Sequence, residues 1–148
     1  MSKVYTNLLL ERRGHTPLVA ILRGLQPTEA VAVGQVLFDA GFRALEIPLN
    51  RPGAVEGIAS VVKLNLPGTL VGGGTMLTID HVDAVFEAGG RLMVSPNCNP
   101  AVIRHAADLG MYCAPGVATP TEAFAALDAG AHALKLFPAT HARARACR

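Results

Sequence analysis

Hydrophobic and polar positions follow two alternating periods along this chain. Short apolar runs of strand length are each followed by a longer stretch with apolar residues at helical spacing. The predicted strands cover residues 18–22, 42–49, 68–75, 91–96, 111–116 and 132–137, and the predicted helices cover residues 2–13, 27–41, 53–65, 78–89, 99–110 and 119–130. Strands that alternate with helices at this spacing indicate parallel βαβ units.

Several predicted helices carry signals at their ends. Thr78 is suited to cap the start of one helix, because its hydroxyl can accept a hydrogen bond from a free backbone N–H. Gly41 and Gly110 end two others, since glycine readily adopts the left-handed backbone that terminates helices.

Two architectures accommodate six parallel strands: a doubly wound open sheet and a (β/α)8 TIM barrel. The first strand–helix turn, ILRGLQPTEA (21–30), has one glycine and lacks the fingerprint of a dinucleotide-binding sheet. The chain has 148 residues, fewer than the roughly 200 of a complete barrel. We therefore predict an α/β fold, an incomplete (β/α)8 TIM barrel of about six units that lacks the last two. Residues 1–148 would form one partial domain ending in an atypical Arg/Ala tail at 140–148.

Composition and charge exclude several classes of protein. Hydrophobic residues make up 51% and charged residues 16%, which excludes a disordered chain. The net charge is +2, but three arginines stand in the last eight residues: Arg143, Arg145 and Arg148. Without them, 10 basic residues face 11 acidic ones, a net charge of −1. A nearly neutral body and three tail arginines do not favour nucleic-acid binding.

Cysteine usage and apolar runs indicate the compartment. The three cysteines are an odd number without a C-x-x-C pair, so neither a disulfide framework nor a zinc site is predicted. The five histidines show no metal-ligand spacing. No apolar stretch is long enough for a signal-peptide core or a membrane span. We expect a cytoplasmic protein with reduced thiols and no metal.

Lys135 lies inside an apolar run typical of a strand. Strict alternation divides this segment into two faces, one with Ala131, Ala133, Lys135 and Phe137 and one with His132, Leu134 and Leu136. Burial would favour the neutral amine, which attacks carbonyl groups and forms Schiff bases. The alternative is an edge-strand lysine whose stem packs while its ammonium reaches water. The pattern alone leaves both interpretations open.

Glu46 occupies a similar position within the second predicted strand. Ala44, Glu46 and Pro48 share one face, and Leu45 and Ile47 the other. A buried carboxylate is costly unless it is paired, and it serves as a general acid/base when its pKa is raised. A structural ion pair with an interior cation explains the pattern equally well.

Two further features suggest ligand contacts. Arg23 follows the first strand, and its guanidinium suits a carboxylate or a phosphate, although an exposed loop arginine is the simpler explanation. The run GGGT (72–75) allows a ligand to approach the backbone closely, but a tight strand–helix turn would use the same glycines.

Taken together, these stretches resemble one family. The stretches that carry the resemblance are VAILRG (19–24), EIPLN (46–50), GGGT (72–75), SPN (95–97), APG (114–116), ATPTEAFAALDAGA (118–131) and LKLFP (134–138). They are similar to the 2-dehydro-3-deoxy-6-phosphogalactonate aldolases, part of the larger 2-keto-3-deoxy-6-phosphogluconate aldolase group. Asn50 favours the galactonate branch, because the gluconate enzymes typically carry arginine at that position.

The resemblance implies a class I aldolase that uses no cofactor. It implies cleavage of 2-dehydro-3-deoxy-6-phosphogalactonate to pyruvate and glyceraldehyde 3-phosphate in a homotrimeric barrel. Lys135 matches the Schiff-base lysine, and Glu46 matches the acid/base residue. The positions that match the substrate pocket are Arg23, Gly74, Thr75, Pro96 and Pro115. For the two prolines, packing alone is the simpler explanation.

The resemblance ends near residue 139. There the family continues into two more strands that hold the substrate phosphate, whereas this chain reads ATHARARACR (139–148). We therefore expect two open strand edges, an exposed core, and poor solubility or association. The alternatives are a gluconate-specific aldolase, another phosphosugar barrel such as an epimerase or pyruvate-dependent lyase, and a non-catalytic fragment.

Overall fold

A computed structural model describes residues 18–139, and strands alternate with helices through this range. The strands are β1 (Val19–Ile21), β2 (Ala44–Pro48), β3 (Leu70–Gly74), β4 (Leu92–Val94), β5 (Tyr112–Ala114), β6 (Gly116–Val117) and β7 (Lys135–Leu136). The helices are α1 (Ala30–Asp39), α2 (Ala54–Val62), α3 (Ile79–Glu87), α4 (Pro100–Asp108) and α5 (Pro120–Asp128). The predicted elements within 18–139 are confirmed over shorter ranges, except that the strand predicted over 111–116 is divided into β5 and β6 and extends to Val117. The helix predicted over 2–13 and the tail at 140–148 lie outside the described residues.

The strands are parallel throughout the described range. Strands β1 to β5 form one sheet in sequence order, and β6 pairs with β7. The fifth predicted strand is divided at Pro115, which has no N–H to donate to a ladder. Backbone N–H groups of His132 and Ala133 still reach the carbonyl of Cys113, at 2.9 and 3.1 Å. The sheet therefore continues from β5 toward β7 across this break.

The two faces of the sheet pack into different apolar clusters. Leu45 and Ile47 of β2 belong to the larger cluster, which includes side chains of the surrounding helices. The smaller cluster holds buried residues of β2 to β5, namely Ala44, Leu70, Leu92, Val94 and Tyr112. This division confirms the predicted alternation in β2, and it places Glu46 on the side of the smaller cluster.

The helix ends follow their predicted signals. Thr78 Oγ1 accepts a hydrogen bond from the N–H of His81 at 3.2 Å. Thr119 and Glu122 form a reciprocal capping box at the start of α5. Gly41 and Gly110 have positive φ just after α1 and α4, as their positions predicted. These local signals place the strand ends, and therefore the loops that follow them.

Both outer strands of the described range expose apolar side chains. Strand β1 pairs only with β2, and β7 only with β6, among residues 18–139. Ile21 is 43% exposed and Leu136 is 53% exposed. Open edges with exposed apolar residues are what an incomplete barrel predicts. No helix in the described part of the chain is both long enough and apolar enough to cross a membrane.

Candidate active site

Lys135 and Glu46 meet inside the curved sheet. The Nζ atom of Lys135 lies 3.9 Å from Oε1 of Glu46, although their strands, β7 and β2, are not neighbours. The Glu46 side chain is 4% exposed and the Lys135 side chain 28% exposed. The pair is thus a nearly buried acid beside an amine that remains accessible.

A largely apolar cavity surrounds this pair. Its volume is about 280 Å³, and Glu46 and Lys135 are its charged lining residues. The other lining residues are Val19, Ile21, Val94, Ala114, Ala133 and Leu134. Sequence reasoning did not single out these apolar residues. Strand alternation gave a signal for Ala133, which was predicted to share a face with Lys135. The lining residues of β1, β4 and β5 lie on strands that carry neither charged residue, so alternation did not relate them to the pair.

Burial dominates the electrostatics of Glu46. It raises the pKa of the Glu46 carboxyl, and the positive charges of Lys135 and then Arg23 lower that pKa in part. Oε2 of Glu46 is buried and has no hydrogen-bond partner among residues 18–139. A raised pKa and a vacant acceptor atom together suit a group that takes up and releases protons.

The backbone of Lys135 is hydrogen-bonded to Pro115, which lies between β5 and β6. The N–H of Lys135 donates to the carbonyl of Pro115 at 2.9 Å. The Lys135 amine also lies 5.1 Å from the centroid of the Phe137 ring. Pro115 therefore contacts the site through its main chain, and its buried side chain contributes packing.

Strict alternation fails just before Lys135. Ala131 packs with the helix-side cluster while Ala133 packs with the interior cluster, although they were predicted to share a face. His132 and Ala133 both donate to the carbonyl of Cys113, a bulge-like arrangement that shifts the pleat. As a result, Leu134 lines the cavity beside Lys135 rather than facing away.

The glycine run packs against protein atoms on both sides. A Cβ on Gly72 would lie 1.9 Å from the carbonyl oxygen of Leu92, and one on Gly73 would lie 2.8 Å from Sδ of Met76. A Cβ on Gly74 would lie 2.8 Å from Oε2 of Glu46. Gly72 and Gly73 therefore pack against other parts of the fold, and Gly74 packs against the carboxyl group of Glu46.

The remaining predicted residues are Thr75, Arg23 and Pro96. Thr75 follows Gly74 directly and has a φ of 56°, in the left-handed region. Arg23 is exposed after β1, and its charge acts on Glu46. Pro96 lies against Gly116, whose Cβ would approach the Pro96 carbonyl to 2.4 Å. None of these three is among the described residues that line the cavity.

Two other potentially reactive side chains, Cys113 and His132, pack against other parts of the protein. Burial raises the pKa of the Cys113 thiol to about 12. The imidazole of His132 stacks on Tyr112 with ring centroids 5.1 Å apart, and burial lowers its pKa. No cluster of three His, Cys, Asp or Glu side chains suited to a metal occurs within residues 18–139.

Comparison with known proteins identifies the family of this chain. A family profile described as "KDPG and KHG aldolase" matches residues 10–144. This chain belongs to the KDPG and KHG aldolase family. The match includes the strands that carry Glu46 and Lys135.

Individual members of the family are similar in sequence and fold. A protein of Rhizobium meliloti (strain 1021), named probable 2-dehydro-3-deoxy-6-phosphogalactonate aldolase, is 56% identical over 84% of this chain and 58% of its own length. The "Native KDPGal structure" is 47% identical with a TM-score of 0.82, over 88% of this chain and 63% of that one. A KDPG aldolase from Legionella pneumophila was solved with pyruvate captured as a covalent carbinolamine intermediate. It is 27% identical with a TM-score of 0.76, over 86% of this chain and 61% of that one.

These likenesses confirm the fold and show how much of the length of each relative this chain covers. The described residues have the α/β TIM-barrel-like fold of the family, as predicted, with part of the barrel present. The chain spans about three fifths of the length of the family members that it matches.

Proposed function

We propose that this protein is a class I aldolase that forms a Schiff base through Lys135. The observation that carries the proposal is the approach of the Lys135 amine to Glu46 within an apolar cavity. An accessible amine attacks a ketone, and a buried carboxyl with a raised pKa supplies and removes the protons that the attack requires. The carbinolamine captured in the Legionella pneumophila relative supports this chemistry.

The reaction begins with bond formation at the substrate ketone. The neutral Lys135 amine adds to the ketone carbon, C2, of 2-dehydro-3-deoxy-6-phosphogalactonate, and the resulting carbinolamine loses water to form an iminium ion. Deprotonation of the C4 hydroxyl then breaks the C3–C4 bond, whose electron pair moves into the iminium. Glyceraldehyde 3-phosphate leaves as the aldehyde. The enamine takes up a proton at carbon, and hydrolysis releases pyruvate and the free amine. The iminium is the electron sink, so the sequence of steps needs no metal or cofactor.

Glu46 is the proposed general acid/base. Its Oε2 atom has no hydrogen-bond partner in the described range, so a water or a substrate hydroxyl can occupy that acceptor. Proton transfers at the carbinolamine and at the C4 hydroxyl both fall to this group. The positive charge of protonated Lys135 favours the ionised carboxylate, which can then take up the ammonium proton and leave the amine neutral for attack.

The substrate class is a phosphorylated keto-deoxy sugar acid. We assign Arg23 and Thr75 to its carboxylate end, because Arg23 offers a guanidinium and Thr75 a hydroxyl after the strands that flank β2. Gly74, Pro96 and Pro115 are proposed to border the substrate pocket without lining the cavity, Gly74 from behind the Glu46 carboxyl. The galactonate epimer is favoured by the 56% identity to the Rhizobium meliloti relative and by Asn50.

Trapping with pyruvate tests the covalent step. The protein is incubated with pyruvate and sodium borohydride, and the modified peptide is mapped by mass spectrometry. A reduced adduct on Lys135 is the expected result. The Lys63→Met variant, which removes an exposed lysine after α2, should still form the adduct, whereas Lys135→Met should not. An adduct that persists in Lys135→Met would contradict the assignment.

Turnover and epimer preference are measured separately. Pyruvate release is followed with 2-dehydro-3-deoxy-6-phosphogalactonate and with its gluconate epimer as substrates. Faster release from the galactonate compound is expected. Equal or faster release from the gluconate compound would overturn the substrate assignment while leaving the Schiff base intact.

We also propose a cytoplasmic enzyme in which the barrel is a single domain and three copies assemble. A phosphorylated sugar acid is an intracellular type of metabolite, and this domain would act in carbohydrate metabolism, specifically in galactonate degradation. Light scattering coupled to gel filtration tests the assembly. A trimer mass at micromolar concentration supports it, and a constant monomer mass contradicts it.

A further inference from the structure

The carboxyl group of Glu46 lies directly on the backbone of Gly74. A Cβ at Gly74 would approach Oε2, Cδ and Oε1 of Glu46 to 2.8, 3.0 and 3.4 Å. Gly74 is the last residue of β3 and pairs in register with Pro48, two residues beyond Glu46 on β2. The inner side of β3 thus leaves a space of methyl size, and the proposed acid/base fills it.

The neighbouring glycine serves a different part of the molecule. A Cβ on Gly73 would press on the side chains of Met76 and Val85, at 2.8 and 2.9 Å. Both are fully buried residues of the helix-side cluster. Gly73 is therefore a packing residue for the core, and it provides a matched control on the same strand.

We infer that Gly74 is a positioning residue, which allows the Glu46 carboxyl to lie at its working distance from Lys135 because glycine has no side chain in that space. The importance of this role for catalysis rests on the proposed function. Its geometry rests only on the contact between the Glu46 carboxyl and the Gly74 backbone. It differs from contact between Gly74 and a substrate, because the atoms that occupy the space belong to Glu46.

The consequence of filling the space follows from burial. Glu46 is 3% exposed, so its carboxyl cannot turn into solvent when a methyl group appears beside it. It must instead move away from β3, which changes its distance to Lys135 and its access to a proton carrier. A displacement of about 1 Å at a reacting group can reduce a rate about 100-fold.

The geometric part is tested by titration of Glu46 in Gly74→Ala and Gly73→Ala. The side-chain carboxyl carbon is observed by NMR, and its signal is assigned by its loss in Glu46→Gln. We expect Gly74→Ala to displace the chemical shift and the titration midpoint of Glu46. Gly73→Ala should lower the urea midpoint of unfolding and leave that titration unchanged. An unchanged titration in Gly74→Ala, or an equal change in Gly73→Ala, would overturn the inference.

A second variant covers the case in which Gly74→Ala does not fold. Glu46→Ala removes the carboxyl, so adding Gly74→Ala to it should not lower the urea midpoint further. If the double variant is clearly less stable than Glu46→Ala, or does not fold, the methyl group collides with something other than the carboxyl and the inference is wrong.

The chemical part uses the rate of pyruvate adduct formation. Gly74→Ala should slow trapping by about tenfold or more, whereas Gly73→Ala should leave the rate within about threefold. In the Glu46→Ala background, Gly74→Ala should have no further effect on that rate. Absence of any adduct in the wild-type chain would contradict the proposed function instead, and the titration of Glu46 would still decide the role of Gly74.

Discussion

The amine of Lys135 lies 3.9 Å from a carboxyl oxygen of Glu46, and the two residues come from strands that do not pair. Only the curvature of the sheet brings β2 and β7 to face each other. A buried ion pair is by itself a weak source of stability, because desolvation offsets the attraction. Oε2 of Glu46 lacks a hydrogen-bond partner among residues 18–139, and the amine is accessible, so we propose a chemical rather than a structural role for this pair.

Replacing Lys135 should change the titration of Glu46 in a defined direction. The charge of Lys135 lowers the pKa of Glu46, so Lys135→Met should raise that pKa further. The carboxyl signal in NMR titrations reports the change. Lys63→Met removes a lysine that does not act on Glu46 and should leave the titration as in wild type. A fall in the Glu46 pKa in Lys135→Met would contradict the observed pairing.

Glu46→Gln should stabilise the fold at neutral pH. Burial raises the pKa of Glu46, and a raised folded-state pKa contributes stability that is fully present below the unfolded value of about 4.5. That contribution is lost as the pH rises through the folded pKa. We expect Glu46→Gln to exceed wild type by about 1 kcal/mol at neutral pH. The difference should shrink toward pH 4.5.

Urea unfolding at several pH values measures this effect. Glu87→Gln, at the exposed end of α3, is the control and should not reproduce the pH dependence. A wild-type chain that gains stability relative to Glu46→Gln as the pH rises from 4.5 would show that the sign is wrong.

Gly72 should tolerate no side chain. Its Cβ would lie 1.9 Å from the backbone oxygen of Leu92 on the adjacent strand, and backbone atoms cannot rotate away. Gly72→Ala should cost at least about 3 kcal/mol in the free energy of unfolding. Gly57→Ala in α2 is the control, because its Cβ meets Ile47 at an ordinary 3.5 Å. That change should gain about 0.5 kcal/mol by urea denaturation.

Thr75 and Asn65 allow a reciprocal test of backbone strain. Both have positive φ, 56° and 47°, but asparagine adopts this region far more readily than a β-branched residue. Thr75→Asn should stabilise the fold by about 1 kcal/mol, and Asn65→Thr should cost about the same. Thermal unfolding of the two variants measures both effects. If both change the melting temperature in the same direction, strain is not the cause.

The outer edges of β1 and β7, which have no partner strand among residues 18–139, should cause association. Leu136 in β7 is 53% exposed, and unpaired parallel edges with apolar side chains favour intermolecular contacts. Sedimentation velocity should show larger species as concentration rises, and Leu136→Lys should reduce them. Val36→Lys changes another exposed apolar residue, 67% exposed on α1 rather than on an outer strand, and should have less effect. Concentration-independent monomers of the wild-type chain would contradict this prediction.

The sequence determined the order of the elements and their boundaries to within a few residues. Strand and helix periods are local properties, and so are the capping hydroxyl of Thr78 and the terminating glycine Gly41. The separation of Glu46 from Leu45 and Ile47 onto opposite faces also followed from alternation in β2, a strand without bulges.

Tertiary structure alone decided which groups meet and how closely. Pro115 divides the fifth strand, and the double hydrogen bond to the Cys113 carbonyl shifts the pleat before Lys135, so alternation misplaced Leu134. The space that Gly74 leaves for Glu46 is likewise visible only once two strands are in register. Register and curvature arise from pairing between distant segments, and a periodicity read within one segment contains no information about them.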